Sequence, residues 1–467
     1  MSEQKPMKLR DKNATLVEYD QAGHLQCSYS NLDGAPISIR KPLAQKSLWE
    51  QLLDIFLPAG YPASVTDDYA AYQLYDSLQA FSSSIAGMLS SRAVLIGVGV
   101  GDSKAHPTTA LLLSVFQESF GRIITILFAH RLGSALEPEC KMYRLAADVF
   151  NDASMVLDCL SPAFPKPTRV VLFSIASMLR ALCGVAAGSS KATLSAHFAT
   201  KGNLGDVNAK DSSQETVISL LGMLAGSFVV SWISEPVPSF LLLLLLLSIH
   251  LCMNYAAVRA VKMHTLNRQR ANLLFTNLLA YDKVLTPAQV STHERIFERD
   301  GVLRWTNGQK IGYARIGVSL KALVDRAAVS PGNVSTNTTT APQKSKQSLD
   351  MAHLAQVYTA EPYILWAART GPRVHVDIVL KQGCSTTDQI KAWLQAVVIA
   401  KYVHERITNV GPSMGGDDIH LVSTSLAQTN KVFDEFCRRL QAVGWDLDNA
   451  ALETTCGPRI AVLDKSD

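Results

Sequence analysis

The strongest hydrophobic pattern along the chain is a pair of uncharged apolar stretches near its middle. Residues 217–234 contain no charged side chain, and residues 236–258 again contain none and include a continuous leucine run at 241–247. As helices the two stretches would be about 27 and 34 Å long, enough to cross a hydrocarbon core of about 30 Å. Glu235 and the prolines beside it interrupt the pattern. The sequence therefore predicts a helical hairpin inserted in a membrane.

Three further apolar stretches each carry one or two charged side chains: Arg92 within 78–101, Glu118 and Arg122 within 107–130, and Arg180 within 170–188. A charge at the bilayer centre costs about 2.5–3.5 kcal/mol, so these side chains should not face lipid. Two interpretations stay open for each stretch. It spans with its charge turned to the bundle interior or the interface, or it is a buried or re-entrant helix of the same domain.

Paired glycines one helical turn apart recur in three of the apolar segments: Gly97 with Gly101, Gly184 with Gly188, and Gly222 with Gly226. Lipid provides no hydrophobic drive between helices, so membrane helices associate by close backbone approach at small residues. The recurrence predicts that these six glycines lie at helix–helix contacts.

The segments outside these apolar stretches show patterns of strands, helices and a linker. Residues 14–29 form two short alternating runs around a Gly-containing turn, which predicts a β-hairpin. Residues 44–57 have apolar positions at helical spacing, typical either of a helix lying on a bilayer or of a core-facing helix. The stretch 329–348 is rich in Ser, Thr, Asn and Pro and predicts a disordered linker. Beyond it, two strand-like runs, helices near 386–406 and 422–443 and a final strand-like run predict an α+β domain.

The predicted fold class is mainly α, a polytopic helical membrane domain with a small cytosolic α+β C-terminal domain. The predicted segments are an N-terminal β-hairpin segment (1–40), a helical membrane domain (41–285), a connecting helical or hairpin region (286–328), a disordered linker (329–350) and the C-terminal α+β domain (351–467).

Composition and charge narrow the function classes. The chain of 467 residues is 48% hydrophobic and only 18% charged, against a usual charged share of about 25%. Its mean hydropathy is +0.11. The formal net charge of +4 is too balanced to indicate a nucleic-acid binder. The lipid bilayer is therefore the expected environment, and no nucleic acid is expected as a partner.

Candidate catalytic and metal-binding motifs are weak. The eight cysteines include no CxxC pair, and His293 has no second histidine at zinc-protease spacing. The glycine-rich run at 94–101 lacks the third glycine of a dinucleotide-binding turn. We therefore assign no catalytic residue, metal or cofactor, and we do not expect an enzyme.

Basic residues after the hairpin indicate its orientation. Arg259, Lys262, Arg268 and Arg270 follow the second apolar stretch, and no acidic residue occurs from 236 through 281. By the positive-inside rule this flank is cytosolic, which places the C-terminal domain in the cytosol. The expected location is an intracellular membrane crossed several times, and the sequence does not specify the organelle.

Two polar clusters are the candidate site. The first is Asp148, Asn151 and Asp152, and the second is Asn203, Asp206, Asn208, Lys210, Asp211, Gln214 and Glu215. Asp148 and Asp152 are four residues apart, so on a helix both carboxylates face the same way. Ionisable residues within a membrane domain are functional candidates by default. We expect the two clusters to converge on one polar pocket, with Lys191 or Arg180 as the counter-charge.

A purely structural interpretation competes for the second cluster. Asp206, Asp211 and Glu215 stand just before the first uncharged stretch, where acidic side chains cap and solvate a helix start. Capping explains acidic residues in the first turn of a helix, but it does not explain the acidic pair Asp148 and Asp152 earlier in the chain.

Four sequence blocks carry a resemblance to a known family: FLPAGYPASVTDDYAAYQLYDSLQAFSSSIAG at 56–87, VLIGVGVGDS at 94–103, ADVFNDASM at 147–155 and GNLGDVNAKDSSQETVISLLGMLAG at 202–226. With these blocks the chain resembles the ROOT UVB SENSITIVE (RUS) family over roughly residues 45–260. The resemblance implies an integral-membrane α-helical protein linked to UV-B responses and vitamin B6 homeostasis. It implies no catalytic residues.

Two function hypotheses follow. The first is a transporter or carrier of a small polar metabolite, a vitamin B6 vitamer by family association. The alternative is a non-transporting membrane scaffold that recruits a protein partner through its cytosolic C-terminal domain.

Overall fold

The computed structural model describes residues 15–19, 25–30, 38–40, 55–98, 107–328, 351–370, 373–410 and 418–461. The linker predicted over 329–350 lies outside the described residues, as does most of the amphipathic helix predicted over 44–57. The described chain is mainly helical, as the sequence predicts.

The helices in chain order are α1 (Tyr69–Val98), α2 (Pro107–Leu136), α3 (Cys140–Leu160), α4 (Lys166–Phe198), α5 (Leu204–Trp232), α6 (Pro236–Ala260), α7 (Arg268–Tyr281), α8 (Pro287–His293), α9 (Leu320–Ala328), α10 (Met351–Val357), α11 (Thr386–Val410) and α12 (Asp418–Ala442). The strands are β1 (Thr15–Tyr19), β2 (Leu25–Ser30), β3 (Ser38–Arg40), β4 (Val302–Arg304), β5 (Lys310–Ile316), β6 (Tyr363–Thr370), β7 (Arg373–Lys381) and β8 (Arg459–Ile460).

The chain divides into two compact units. The first comprises Met1–Ser103, Met155–Pro165 and Lys191–Ala257, and the second comprises Lys104–Ser154, Lys166–Ser190 and Val258–Asp467. Boundaries between the units fall within α3, α4 and α6, so each of these three helices contributes residues to both units.

Four of the described helices are long and apolar enough to cross a membrane: α1, α4, α5 and α6. The predicted hairpin is confirmed as two helices, α5 and α6, which are separated by residues 233–235. The stretches 78–101 and 170–188 fall largely within α1 and within α4, whereas 107–130 lies in α2, outside this group of four. Insertion of these helices in a bilayer stays a prediction.

A close contact between α1 and α5 organises the first unit. A Cβ added at Gly222 would lie 2.6 Å from the Cβ of Ser84, and one added at Gly226 would lie 2.9 Å from the Cγ of Met88. Both glycines are buried, so the missing side chains are what allow the helices to approach. Ala86 and Leu89 of α1 also cluster with Leu243 and Leu247 of α6.

The other two glycine pairs differ from this one. A Cβ added at Gly184 or Gly188 would meet nothing within 4 Å, because both glycines are on an exposed side of α4. Gly97 lies near the end of α1, and Gly101 lies outside the described residues. Glycine pairs with the same spacing in the sequence therefore differ in packing. Gly222 and Gly226 contact α1, whereas Gly184 and Gly188 have open space beside them.

Arg92 has a local structural role in the apolar stretch where it occurs. Its guanidinium Nη1 donates to the carbonyl oxygens of Val230 at 3.1 Å and Ile233 at 2.5 Å, and its Nη2 donates to Ser239 Oγ at 2.6 Å. These are carbonyls at the C-terminal end of α5, where a cation is favourable. The charge thus fixes the turn between α5 and α6.

The N-terminal hairpin predicted over 14–29 is present as the antiparallel pair β1 and β2. A third strand, β3, extends it to a three-stranded sheet, which the two alternating runs do not predict.

A mixed five-stranded sheet forms the base of the second unit. Its order is β4-β5-β7-β6, with β8 pairing along the end of β7. Strands β5 and β7 run parallel, whereas β4 with β5 and β6 with β7 run antiparallel. Helix α11 packs on β5, β6 and β7 and contacts α7 and α12. Trp393 of α11 and Phe275 of α7 are fully buried in this core.

The predicted boundaries of the C-terminal domain need correction. From the sequence patterns, that domain is predicted to begin at 351, 286–328 is predicted to be a connecting region, and α7 falls in the predicted membrane domain. In the structure β4 and β5 pair within the same sheet as β6 and β7, and Leu274 of α7 is fully buried in the same core. Strand pairing between distant segments, which local patterns do not reveal, sets the boundary earlier.

A buried ion-pair cluster holds α3, α7 and the end of α8 together. The Glu294 carboxylate lies 2.5 Å from Lys141 Nζ and 2.7 Å from Arg270 Nη1, and all three side chains are at most 6% exposed. Burial alone raises the pKa of Glu294, but the two cations outweigh burial and hold that pKa at about 2, below the ordinary value of 4.5. Arg259 adds contacts to the carbonyls of Ser291 and Glu294.

We expect the Glu294→Gln variant to lose about 3–5 kcal/mol of unfolding free energy, because two buried cations lose their counter-charge. In the parent, the folded-state pKa of about 2 lies below the unfolded value, so ionised Glu294 stabilises the fold fully above about pH 4.5. This contribution is lost as the pH falls through 2. Denaturation of the detergent-purified chain as a function of pH measures both effects. The exposed Glu435→Gln variant is the control, and equal stability of the two variants would contradict the prediction.

Substituting alanine at Gly222 and at Gly184 should have opposite effects. The Gly222→Ala variant should be destabilised because the new methyl group overlaps Ser84, whereas Gly184→Ala should gain up to about 1 kcal/mol of helix propensity without a clash. Melting temperatures in detergent measure the difference. Shifts of the same sign and size would show that the α1–α5 contact does not depend on Gly222.

Candidate functional site

A buried polar network lies where α1 begins, α4 ends and α5 begins, all within the first unit. We call it the head network and define it by six residues: Asp68, Gln73, Lys191, His197, Asp211 and Glu215. The Asp211 carboxylate accepts from Gln73 Nε2 at 2.8 Å and pairs with Lys191 Nζ at 2.7 Å. The same Lys191 ammonium lies 2.7 Å from Glu215. The network thus joins three helices of membrane-crossing length through one buried carboxylate.

A second side-chain contact, between a histidine and a carboxylate, completes the head network. His197 Nε2 lies 3.0 Å from Asp68 Oδ2, and the two side chains are 4% and 1% exposed. Thr66 donates to the other oxygen of Asp68. Asp68 immediately precedes α1 and His197 is one residue from the end of α4, so this pair fixes the two helix ends against each other.

Backbone pairing and aromatic packing explain why these helix ends meet. Val65 bridges Ala199 in antiparallel fashion, which aligns the chain entering α1 with the chain leaving α4. The ring of Phe198 lies 5.4 Å from that of Tyr69 and 5.0 Å from that of Tyr72. These rings exclude water from one side of the polar groups, which strengthens the ion pairs beside them.

The space inside the head network is small. A cavity of about 10 Å³ lies between Tyr72, Gln73, Lys191 and Asp211, close to the minimum volume that one water molecule needs. The network is closed in this conformation, so a ligand larger than water enters only if the helix ends separate.

Three other members of the second predicted cluster bind the segment that precedes α1. Asp206 accepts from the Ala59 backbone N–H at 2.7 Å, and Lys210 Nζ donates to the Ile55 carbonyl at 3.1 Å. Gln214 Nε2 donates to the Phe56 carbonyl at 2.5 Å. These side chains anchor the chain at 55–59 to α5 and do not line the cavity.

The capping interpretation describes this cluster only in part. Asp206 is in the first turn of α5, but the N-cap residue Asn203 makes no side-chain capping bond. Asn203 Oδ1 instead accepts from the Lys201 N–H at 3.4 Å. Asp211 and Glu215 lie beyond the first turn and bind Lys191, and Asn208 is half-buried.

The first predicted cluster lies on α3 in the second unit. Asp148 and Asp152 are each 5% exposed, which agrees with the shared helix face that their spacing predicts, and Asn151 is half-buried. Asp148 pairs with Arg144 one turn earlier, at 3.1 Å. Arg180 donates to Ser154 Oγ at 3.4 Å.

Of the two predicted counter-charges, Lys191 and Arg180, only Lys191 pairs with a carboxylate of the predicted clusters in the contacts described above. Lys191 is the cation of the head network, whereas Asp148 has its ion pair with Arg144, a residue of its own helix. The convergence of the two clusters on one pocket stays a prediction.

Sequence reasoning missed Asp68, Gln73 and His197. Only the tertiary fold shows that Gln73 and Asp211 are hydrogen-bonded. A usable signal was present for Gln73, which is a polar residue on the same helical face as Tyr69 and Tyr72 and is buried with them.

The basic flank after α6 is less exposed than its sequence suggests. Arg268 and Arg270 are 7% and 3% exposed and form ion pairs with Glu139, Asp300 and Glu294. Acids that are distant in the chain therefore neutralise two of the four charges on which the orientation was predicted. Among the described residues no group of His, Cys, Asp and Glu could hold a metal ion.

Comparison with known proteins identifies the family. The family model described as the vitamin B6 photo-protection and homoeostasis domain matches residues 42–282, and the model described as the C-terminal region of root UVB sensitive proteins matches residues 339–455. The chain belongs to the root UVB sensitive family. The first match includes the complete head network.

Relatives span most of the chain. Protein root UVB sensitive 3 of Arabidopsis thaliana is 31% identical over 405 residues, covering 85% of this chain and 83% of the relative. RUS family member 1 of Dictyostelium discoideum is 41% identical over 249 residues, covering 52% of this chain and 47% of the relative. Protein root UVB sensitive 2, chloroplastic, of Arabidopsis thaliana is 27% identical over 433 residues, covering 92% of this chain and 88% of the relative. No solved structure matches the chain.

Proposed function

We propose that this root UVB sensitive protein is an integral membrane carrier of a small polar metabolite, with the head network as its binding site. One observation carries the proposal. The Lys191–Asp211 salt bridge joins two helices that are each long and apolar enough to cross a membrane.

Exposed apolar side chains on α5 and α6 support membrane insertion. Phe228 and Trp232 of α5 and Val237 and Leu241 of α6 are between 61% and 80% exposed. Monomeric soluble proteins rarely expose contiguous apolar surface of this kind. In a bilayer the same side chains contact lipid, and an aromatic ring at the end of a span such as Trp232 favours the interface.

The chemistry of the head network supports a polar substrate. A charged pair inside a helical membrane domain is costly and marks substrate or ion pathways. Within a few ångströms the network offers a carboxylate, an ammonium group and an amide, which bind hydroxyl, amine and ring-nitrogen groups. A vitamin B6 vitamer carries such groups, and it is the metabolite named by the matching family domain. The proposal needs no catalytic step and no cofactor.

A closed network suits a carrier that alternates between states. The cavity of about 10 Å³ has no room for a vitamer, so binding requires α1, α4 and α5 to separate at this end. Substrate groups would then replace the protein's own hydrogen bonds to Asp211 and Lys191. Such gating occurs on the microsecond to second timescale of collective helix motion.

Membrane insertion and orientation are tested together. We propose several crossings of an intracellular membrane with the C-terminal domain in the cytosol, on the side of Arg259 and Lys262. Alkaline carbonate should leave the protein in the membrane pellet, and protease added to intact organelles should digest the C-terminal domain. Release by carbonate would contradict insertion, whereas protease protection, or a glycan at Asn333 or Asn337, would reverse the orientation.

Uptake by proteoliposomes tests the carrier function. Liposomes containing the protein should accumulate labelled pyridoxine, and Asp211→Asn should reduce the uptake rate about tenfold or more, since a hydrogen bond to a charged group contributes about 1.5–3 kcal/mol. Asp68→Asn should also reduce uptake, and the exposed neighbour in Asp67→Asn is the matched control. Asp148→Asn tests whether the first cluster belongs to the same pathway.

The uptake experiment also separates the two function hypotheses. Melting temperatures in detergent must first show that each variant is folded. Full uptake by folded Asp211→Asn would remove the head network as the binding site. No uptake by the folded parent would favour the alternative, a scaffold whose C-terminal domain recruits a protein partner.

A further inference from the structure

Helix α2 in the second unit exposes residues at the spacing of a helix–helix contact. Because an α-helix has 3.6 residues per turn, positions that recur every three or four residues lie on one face. Three apolar residues on this face are 63%, 54% and 69% exposed, namely Leu111, Val115 and Ile126. We call this face the α2 stripe and define it by six exposed residues: Leu111, Val115, Glu118, Arg122, Ile126 and Ala129.

The contact of α2 with α4 lies on a different face of α2. Gly121 is buried, and a Cβ added there would lie 3.3 Å from Ser177 Oγ of α4. The same Ser177 hydroxyl donates to the Gln117 carbonyl at 3.1 Å. By helix geometry Gly121 is about a quarter turn away from the centre of the α2 stripe. Packing on α4 therefore leaves the stripe exposed in the part of the chain that the structure describes.

Two opposite charges lie at the middle of the α2 stripe. Glu118 and Arg122 are near the midpoint of the 30-residue helix, with apolar positions of the stripe on both sides. Arg122 Nη2 lies 3.8 Å from Glu118 Oε2, and the two side chains are 81% and 69% exposed. This separation is longer than a hydrogen bond, and exposed ion pairs contribute little. Both groups are therefore accessible to a further partner.

Covering the α2 stripe is favourable in either environment that α2 could have. In lipid, the exposed charges of Glu118 and Arg122 are costly near the middle of a long helix. In water, the exposed Leu111, Val115 and Ile126 form apolar surface that burial would stabilise. A partner that brings apolar contact together with opposite charges removes both costs.

The charge pattern specifies which partner fits. A wholly apolar helix would bury both charges without a counter-charge, an acidic helix would repel Glu118, and a basic helix would repel Arg122. A helix with an acid and a base one turn apart between apolar positions matches the stripe, and a second α2 has this pattern. In a two-fold dimer both copies present the same surface, so each Glu118 meets the Arg122 of the other copy. Charged residues at such a contact also fix its register.

We propose that the α2 stripe is a dimer interface whose occupant is the α2 stripe of a second copy of this chain. Glu118 of each copy pairs with Arg122 of the other, and the apolar positions on either side pack together. The proposal concerns assembly and goes beyond the carrier function, and neither its argument nor its test depends on transport.

Charge reversal with the full-length chain in detergent tests the proposal. Donor-labelled and acceptor-labelled copies are mixed at a constant detergent concentration, and energy transfer is measured against protein concentration. The parent should associate saturably. Glu118→Arg opposes two bases to two bases, and Arg122→Glu opposes two acids to two acids, so each variant alone should associate about tenfold more weakly or worse. A mixture of the two variants should associate like the parent, because every pair between the copies is again opposite in charge.

Matched controls separate this interface from general effects of charge and hydrophobicity. The exposed pair on α12 gives Glu435→Arg and Arg438→Glu, which should associate like the parent. On α2 itself, Ile126→Asn should weaken association about tenfold or more. The adjacent Leu127 is also exposed but lies off the stripe, so Leu127→Asn should leave association unchanged. Melting temperatures establish that each variant is folded.

Four results would overturn the proposal. They are a monomeric parent, parental association by either folded charge-reversal variant alone, no association in the mixture of the two, and equal effects of Ile126→Asn and Leu127→Asn. If a charge-reversal variant does not fold, the comparison of Ile126→Asn with Leu127→Asn decides.

Discussion

Asp211 is a carboxylate only 6% exposed, and the arrangement of the first unit depends on how its charge is balanced. Lys191 from α4 supplies the counter-charge and Gln73 from α1 supplies a hydrogen bond. Removing one partner of such a pair costs more than the pair contributes, because the other charge stays buried. The positions of three helix ends are therefore specified by electrostatics as well as by packing. Because losing one partner of this ion pair is costly, the pair is suited to respond to a ligand that takes the place of that partner.

The second unit also contains a buried carboxylate whose charge must be balanced. Glu294 is enclosed by Lys141 and Arg270 within a core that continues into the five-stranded sheet. There both cations and the carboxylate are almost fully buried, and the cations hold the pKa of Glu294 at about 2. Nearby, Arg268 is also buried, and it pairs with Glu139 and Asp300.

Helix packing in the first unit follows from the properties of apolar helices. In a bilayer, apolar helix surfaces would gain little from contact with one another, so contact geometry would decide where the helices meet. Gly222 and Gly226 let α5 approach α1 closely, and Arg92 ties the α5–α6 turn to α1 through carbonyl oxygens. The root UVB sensitive family model covers these residues together with the head network, so the packing and the polar network belong to one family domain.

Local patterns in the sequence were enough to predict the helical hairpin, the mainly helical class, the N-terminal β-hairpin, the α+β character of the C-terminal region and the family. These features depend on composition, periodicity and contiguous blocks, which are properties of neighbouring residues. Lys191, Asp211 and Glu215 were also named from sequence, because ionisable residues stand out in apolar surroundings. Only the tertiary structure decided that Gly222 is packed while Gly184 is exposed, that β4 and β5 join the C-terminal sheet, and that Asp68, Gln73 and His197 complete the network. Each of these depends on contacts between segments far apart in the chain, and spacing within one segment carries no information about what another segment brings to it.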